Sequence, residues 1–174
     1  MKFASNRTLG LLIYRVGDFV AASLSWAIFF FYRKSIESPD QAFLDSLVDS
    51  NFYYGILVIP IFWLLLYSIL DKYKDVYRFS RYSTLKRTFF LSFLGCFVIL
   101  LVLLLDDEVL QYISYVQSFL ILFMIHFFLT AISRIIILTR GKNQIKNGKI
   151  SYNTMIIGGN NNSVELFKEI EGMS

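Results

Sequence analysis

The sequence predicts an all-α membrane protein, a four-transmembrane-helix bundle, followed by the first strand and helix of an incomplete α/β domain. Three observations carry this. Hydrophobic residues make up 56% of the chain and charged ones 17%, against about 25% charged in a soluble domain. The apolar residues gather into four runs of bilayer-crossing length. Lysine and arginine then alternate from loop to loop, as membrane orientation demands.

A crossing needs about 20 mainly apolar residues. Four stretches qualify, at about 11–32 ("LLIYRVGDFVAASLSWAIFFFY"), 52–70, 88–105 and 112–138, within a transmembrane domain of residues 1–140. The first is too long for the apolar core of a signal peptide and carries Arg15 and Asp18 inside it. Its "SWA" at Ser25–Ala27 is a poor cleavage site, so it reads as a retained helix. Pro60 falls inside the second run, where neighbouring helices tolerate it. The single cysteine, Cys96, excludes an internal disulfide and reads as a small packing residue.

Orientation follows from the basic residues. Lys2, Arg7 and Arg15 precede or open the first run. The loop after it holds Arg33 and Lys34 against Glu37, Asp40, Asp45 and Asp49. The next loop holds Lys72, Lys74, Arg78, Arg81, Lys86 and Arg87. The third is "DDE", Asp106–Glu108, and the last is followed by Arg140, Lys142, Lys146 and Lys149. By the positive-inside rule both termini lie in the cytosol. Tyr32, Tyr53, Tyr54, Tyr67, Tyr112 and Tyr115 sit near the boundaries, where amphipathic rings favour the headgroup layer. The "DDE" stretch reads as a solvated outer turn, since paired carboxylates need a pocket to tune them.

Asp18 lies about 10 Å along the first helix from its cytosolic end. An ionised carboxylate there needs a partner. Arg15 is three residues earlier on the same face, and Arg134, near the cytosolic end of the fourth helix, lies at similar depth. Two roles are open to these residues: a site for a lipid phosphate or a proton, or an ion pair that fixes helix packing. The shallow depth favours the second. His126, the only histidine, has no Cys, Asp or Glu at ligand spacing and reads as a packed or hydrogen-bonded residue. No metal site is expected.

Val76, Phe79, Tyr82, Leu85 and Phe89 recur at helical spacing, flanked by Lys74, Arg78, Arg81, Lys86 and Arg87. Such a segment lies in the membrane surface, and Arg78, Arg81, Lys86 and Arg87 are the candidates for contact with anionic headgroups. The alternative is a plain positive-inside loop. Nucleic acid is not an expected partner, because the basic residues are tied to membrane boundaries.

The tail reads differently. Residues 141–150 form a basic, turn-rich linker. In 151–174, "NTMIIGG" predicts a strand and "SVELFKEI" a helix whose Val164, Phe167 and Ile170 would face a sheet, the start of a Rossmann-like cytosolic domain. Gly158, Gly159, Asn160 and Ser163 are candidates for receiving a nucleotide phosphate at the helix start. Asn160 and Ser163 stand where a dinucleotide fingerprint has its later glycines.

Four crossings, the basic "VYRFSRYSTLKR" loop, the basic linker and "YNTMIIGGNNNSVELFKEI" together resemble the N-terminal part of the large polyprenyl glycosylphosphotransferases. These are the sugar transferases that begin bacterial exopolysaccharide and O-antigen synthesis. The resemblance implies the membrane anchor region of an enzyme that moves a sugar 1-phosphate from a nucleotide sugar to undecaprenyl phosphate, in the bacterial cytoplasmic membrane. It implies that the catalytic Asp-Glu pair and its Mg²⁺ belong to a further domain. This chain is then expected to be a truncation, with no catalytic residue and no cofactor of its own, and with its bundle as a candidate homodimer interface. The alternatives are the N-terminal part of a membrane-bound NAD-dependent nucleotide-sugar dehydratase or epimerase, and a standalone non-enzymatic four-helix membrane protein.

Overall fold

The computed structural model describes residues 2–37, 47–70, 73, 80–106, 112–146, 158 and 161–171. Among them are five helices: α1 (Lys2–Glu37), α2 (Ser50–Leu70), α3 (Arg81–Asp106), α4 (Tyr112–Lys146) and α5 (Asn161–Glu171). Four are long and apolar enough to cross a membrane, over Leu9–Ile36, Ser50–Leu70, Arg81–Val102 and Val116–Gln144. At 36 residues, α1 is about 54 Å long, so it outruns a hydrocarbon core of ~30 Å. The expected crossings fall within these helices, but α1 and α4 continue past the apolar runs, because a helix bonds internally and need not stop where lipid stops. α4 takes up residues 141–146 of the expected linker.

Local chemistry sets two of the starts. Asp49 caps α2: its carboxylate accepts the Asn51 N–H at 2.9 Å and its carbonyl accepts the Phe52 N–H at 3.0 Å. Lys34 reaches the same carboxylate at 2.8 Å, tying the end of α1 to the start of α2. The Lys34 ammonium and then the Asn51 N–H hold this carboxyl below its usual range. Ser80 caps α3 by accepting the Ser83 N–H at 3.1 Å. That cap corrects the expected surface helix through Tyr82 and Leu85. Residues 81–89 are instead the opening turns of a crossing helix, and 74–79 lie outside the described residues.

The helices form an antiparallel bundle in which α1 packs on α2 and α4, and α3 packs on α4. Aromatic rings fill the seams. Phe89 and Phe93 of α3 stand edge-on to Phe119, Phe123 and Phe127 of α4, with centroids 5.4–6.0 Å apart. Each such pair contributes roughly 0.5–1.5 kcal/mol beyond its burial. Phe30 and Phe31 of α1 meet Phe52 of α2, both at 5.3 Å.

The distribution of polarity is that of a protein in lipid. Val16, Val20 and Leu24 of α1, Leu57 and Leu65 of α2, Phe90 and Phe97 of α3, and Leu120 and Phe128 of α4 are exposed. Asp18, Thr88, Ser92, His126, Thr130 and Arg134 are buried. Water would penalise so large an apolar exterior; hydrocarbon favours it and drives the polar groups inward.

The tail corrects the expected fold class. Among the described residues there is no strand and no sheet; their regular elements are all helices, which overturns the expected Rossmann-like start. Val164 and Phe167 of α5 are 55% and 56% exposed rather than packed on a sheet. A strand satisfies its backbone by pairing with another strand, and the sequence offers one candidate with no second beside it. A helix needs no such partner. The stretch 151–157 lies outside the described residues.

Close approach of the helices depends on glycine. A Cβ on Gly95 would run into the indole of Trp63, and one on Gly55 into the indole of Trp26. Trp63 is 1% exposed and stacked on His126 at 3.6 Å, so it has no room to retreat. Gly95→Ala is expected to destabilise the bundle by about 1–3 kcal/mol, read by thermal unfolding in detergent, with Trp63→Phe partly restoring stability in the double variant. An unchanged midpoint for Gly95→Ala would contradict this packing.

Candidate functional site

All four crossing helices contribute to one buried polar cluster. Asp18 comes from α1, Tyr67 from α2, Thr88 from α3 and Arg134 from α4, and Tyr73 reaches in from the connection after α2. Asp18 and Arg134 are 0% and 1% exposed at their side chains. The guanidinium grips the carboxylate with both arms: Nε donates to Oδ1 and Nη2 to Oδ2, each at 2.9 Å. This two-armed geometry is the strongest form of the pair.

The remaining valences are met in turn. Arg134 Nη1 donates to Thr88 Oγ1 at 3.1 Å. Thr88 commits its own proton to the Thr84 carbonyl at 2.8 Å, which leaves its oxygen free to accept. The Tyr73 hydroxyl donates to Asp18 Oδ2 at 3.0 Å. The guanidinium also lies over the Tyr67 ring at 4.3 Å and the Tyr14 ring at 5.1 Å, where the ring faces favour a desolvated cation.

Tyr73 is held in a conformation that side chains other than glycine rarely adopt, with φ of 31°. Such backbone costs on the order of 1–3 kcal/mol and persists where surrounding contacts determine it. Here they are the bond to Asp18, the edge of Tyr14 at 6.0 Å and the Arg15 guanidinium at 5.2 Å above the ring. Burial first, and the Asp18 carboxylate second, push the Tyr73 phenol above its ordinary range. It therefore stays a donor.

A second polar chain lies deeper. His126 Nε2 is 2.8 Å from the Tyr67 hydroxyl and 3.3 Å from Thr130 Oγ1, and its ring stacks on Trp63. Nδ1 has no hydrogen-bond partner among the described residues. Tyr67 thus joins the histidine to the ion pair, one end bonded to imidazole and the ring face under guanidinium.

The sequence candidates separate as follows. Asp18 and Arg134 pair with each other. Arg15 is exposed and does not join them; it covers Tyr73 instead. Arg81, Lys86 and Arg87 are exposed on the opening turns of α3. Gly158 is exposed and Ser163 half-buried, while Arg78, Gly159 and Asn160 lie outside the described residues. Sequence reasoning missed Tyr73, Thr88 and Tyr14, and it put Tyr67 at the headgroup layer, whereas the ring is fully buried between His126 and Arg134. Only the first carries a local signal, an aromatic set among lysines just past a crossing.

The cluster is built to hold rather than to react. Its one carboxylate accepts three hydrogen bonds already. Among the described residues no three His, Cys, Asp or Glu side chains come together, and this donor set does not fit Mg²⁺, which asks for several oxygen ligands.

No family model, curated protein or solved structure matches the chain. What the fold and the cluster define is a class: a multi-pass membrane protein of four apolar helices with a closed ionic lock inside.

Tyr73→Phe removes one bond to a buried carboxylate and is expected to cost roughly 1.5–3 kcal/mol in unfolding by denaturing detergent. Equal stability of the variant and the parent would mean that the hydroxyl does not hold Asp18.

Proposed function

We propose that this chain is a membrane anchor, the embedded region through which a sugar-1-phosphate transferase is held at the cytosolic face of a bacterial membrane. The observation that carries the reading is the Asp18–Arg134 lock, which joins the first and last crossings at the end of the bundle where the basic residues gather. Arg15, Arg81, Lys86, Arg87, Arg140 and Lys142 all belong to that end, and the positive-inside rule assigns it to the cytosol. A rigid bundle with a cationic rim sets a fixed platform against anionic headgroups.

The choice of chemistry follows the resemblance of the basic "VYRFSRYSTLKR" loop and the four crossings to polyprenyl glycosylphosphotransferases. The reaction assigned to the anchored enzyme breaks the phosphoanhydride of a nucleotide sugar. It forms a new one to undecaprenyl phosphate, with a nucleoside monophosphate leaving. None of the residues in the lock takes part in that step; they keep the platform in place. Two copies of the bundle, side by side, are part of the proposal.

Deleting the codons for residues 1–140 at the native locus is expected to abolish transfer of labelled sugar phosphate from nucleotide sugar to lipid in isolated membranes. Restoring the segment in trans as an unlinked peptide is expected not to recover it. Undiminished lipid-linked product after the deletion would refute the anchor reading.

A further inference from the structure

Three tyrosine rings surround the ionic lock, and one of them stands apart. Tyr14 and Tyr67 belong to α1 and α2 and turn their faces to the Arg134 guanidinium. Tyr73 belongs to no crossing helix. It comes to the carboxylate instead, hydroxyl first, at 3.0 Å. In the sequence it lies between Lys72 and Lys74, three residues past the end of α2 at Leu70, at the basic end of the bundle. Amphipathic rings at such a boundary favour the headgroup layer, and Tyr53, Tyr54 and Tyr82 are exposed. Tyr73 is turned inward and is only 5% exposed.

The ring exceeds what the hydrogen bond requires. A donor for one carboxylate oxygen can be small, since serine and threonine carry the same O–H group. The φ of 31° at this position suits glycine, and any side chain there works against its own backbone. The bulk of this one is placed to cover. Its tip is on Asp18, the edge of Tyr14 flanks it at 6.0 Å, and the exposed Arg15 guanidinium lies over it at 5.2 Å. From solvent inward the order is an exposed cation, a buried ring and a carboxylate with no exposure.

We infer that Tyr73 is the stopper on the aqueous side of the lock: its ring, and not only its hydroxyl, keeps water and dissolved reagents from Asp18. Water reaching the pair would raise the local dielectric and weaken the attraction between Asp18 and Arg134. One side chain outside the crossing helices thus controls how dry the lock is, and couples its own position to the pairing of α1 with α4. This role depends on the buried cluster and not on the transferase reading, so either can fail alone.

Chemical access to Asp18 is the test. The purified full chain in detergent micelles is treated with a water-soluble carbodiimide and glycinamide, and the initial rate of modification at each carboxyl is read by mass spectrometry. Glu165, exposed on α5, is the reference. In the unaltered protein Asp18 is expected to stay unmodified while Glu165 reacts. Tyr73→Gly removes the ring and also relieves the backbone, so helix content and tryptophan emission should hold. Its Asp18 should react roughly tenfold faster or more, since protection falls exponentially with the free energy of opening. Tyr73→Ser, which keeps a hydroxyl without a ring, should lose protection as well and supplies the answer if the glycine variant fails to fold. Tyr73→Phe, which keeps the ring and loses the donor, should stay closer to the parent than to Tyr73→Gly. Three results would each overturn the stopper: Asp18 of the unaltered protein reacting at the pace of Glu165, protection persisting in the folded variants that lack the ring, or equal loss of protection in Tyr73→Phe and Tyr73→Gly. The last would assign the barrier to the hydroxyl alone.

Discussion

A guanidinium and a carboxylate shut away from both water and lipid have one stable arrangement, which is each other. Separating Asp18 from Arg134 would leave two bare charges in a medium that screens neither, at a cost of about 3–5 kcal/mol by analogy with broken buried pairs. That penalty ties α1 to α4. It also fixes their rotation, because both arms of Arg134 are engaged. Thr88 and Tyr73 are positioned around the pair: Thr88 accepts from Arg134 Nη1 and Tyr73 donates to Asp18 Oδ2. The strained backbone of Tyr73 makes sense in this light, since its hydroxyl is the one that reaches Asp18.

The apolar effect cannot do this work in a bilayer. Hydrocarbon is as good a neighbour for leucine as another helix is, so specificity must come from shape and from polar contacts. Shape is supplied by indoles seated on glycines, Trp63 on Gly95 and Trp26 on Gly55. Polar contacts are supplied by the lock and by the His126–Tyr67–Thr130 chain. Both kinds converge on Trp63 and Tyr67 of α2, whose rings touch the histidine on one side and, for Tyr67, the guanidinium on the other. The bundle is therefore ordered from a polar centre outward.

The crossings were legible in the sequence because hydropathy is a property of the chain alone. Helix ends were less so: Ser80 starts α3 through a side-chain capping bond, which no apolar period records. The need of Asp18 for a partner was legible too. Its identity was not settled, because a same-helix rule offered Arg15 while the packing of the bundle chose Arg134, 116 residues away. Thr88 had no signal beyond being polar near a boundary, and Tyr73 only its place in an aromatic set among lysines. The tail misled for the opposite reason. "NTMIIGG" has the local look of a strand, but pairing is a property of two segments, and the described residues of the tail hold only a helix.

The most direct test of the account is a double-mutant cycle across the lock. Asp18→Asn, Arg134→Gln and the pair together are compared by unfolding in mixed micelles. The account predicts that each single change is far more damaging than the double change implies, with a coupling of at least about 3 kcal/mol. Single effects that add within about 0.5 kcal/mol would show two charges indifferent to one another, and the bundle would need another explanation.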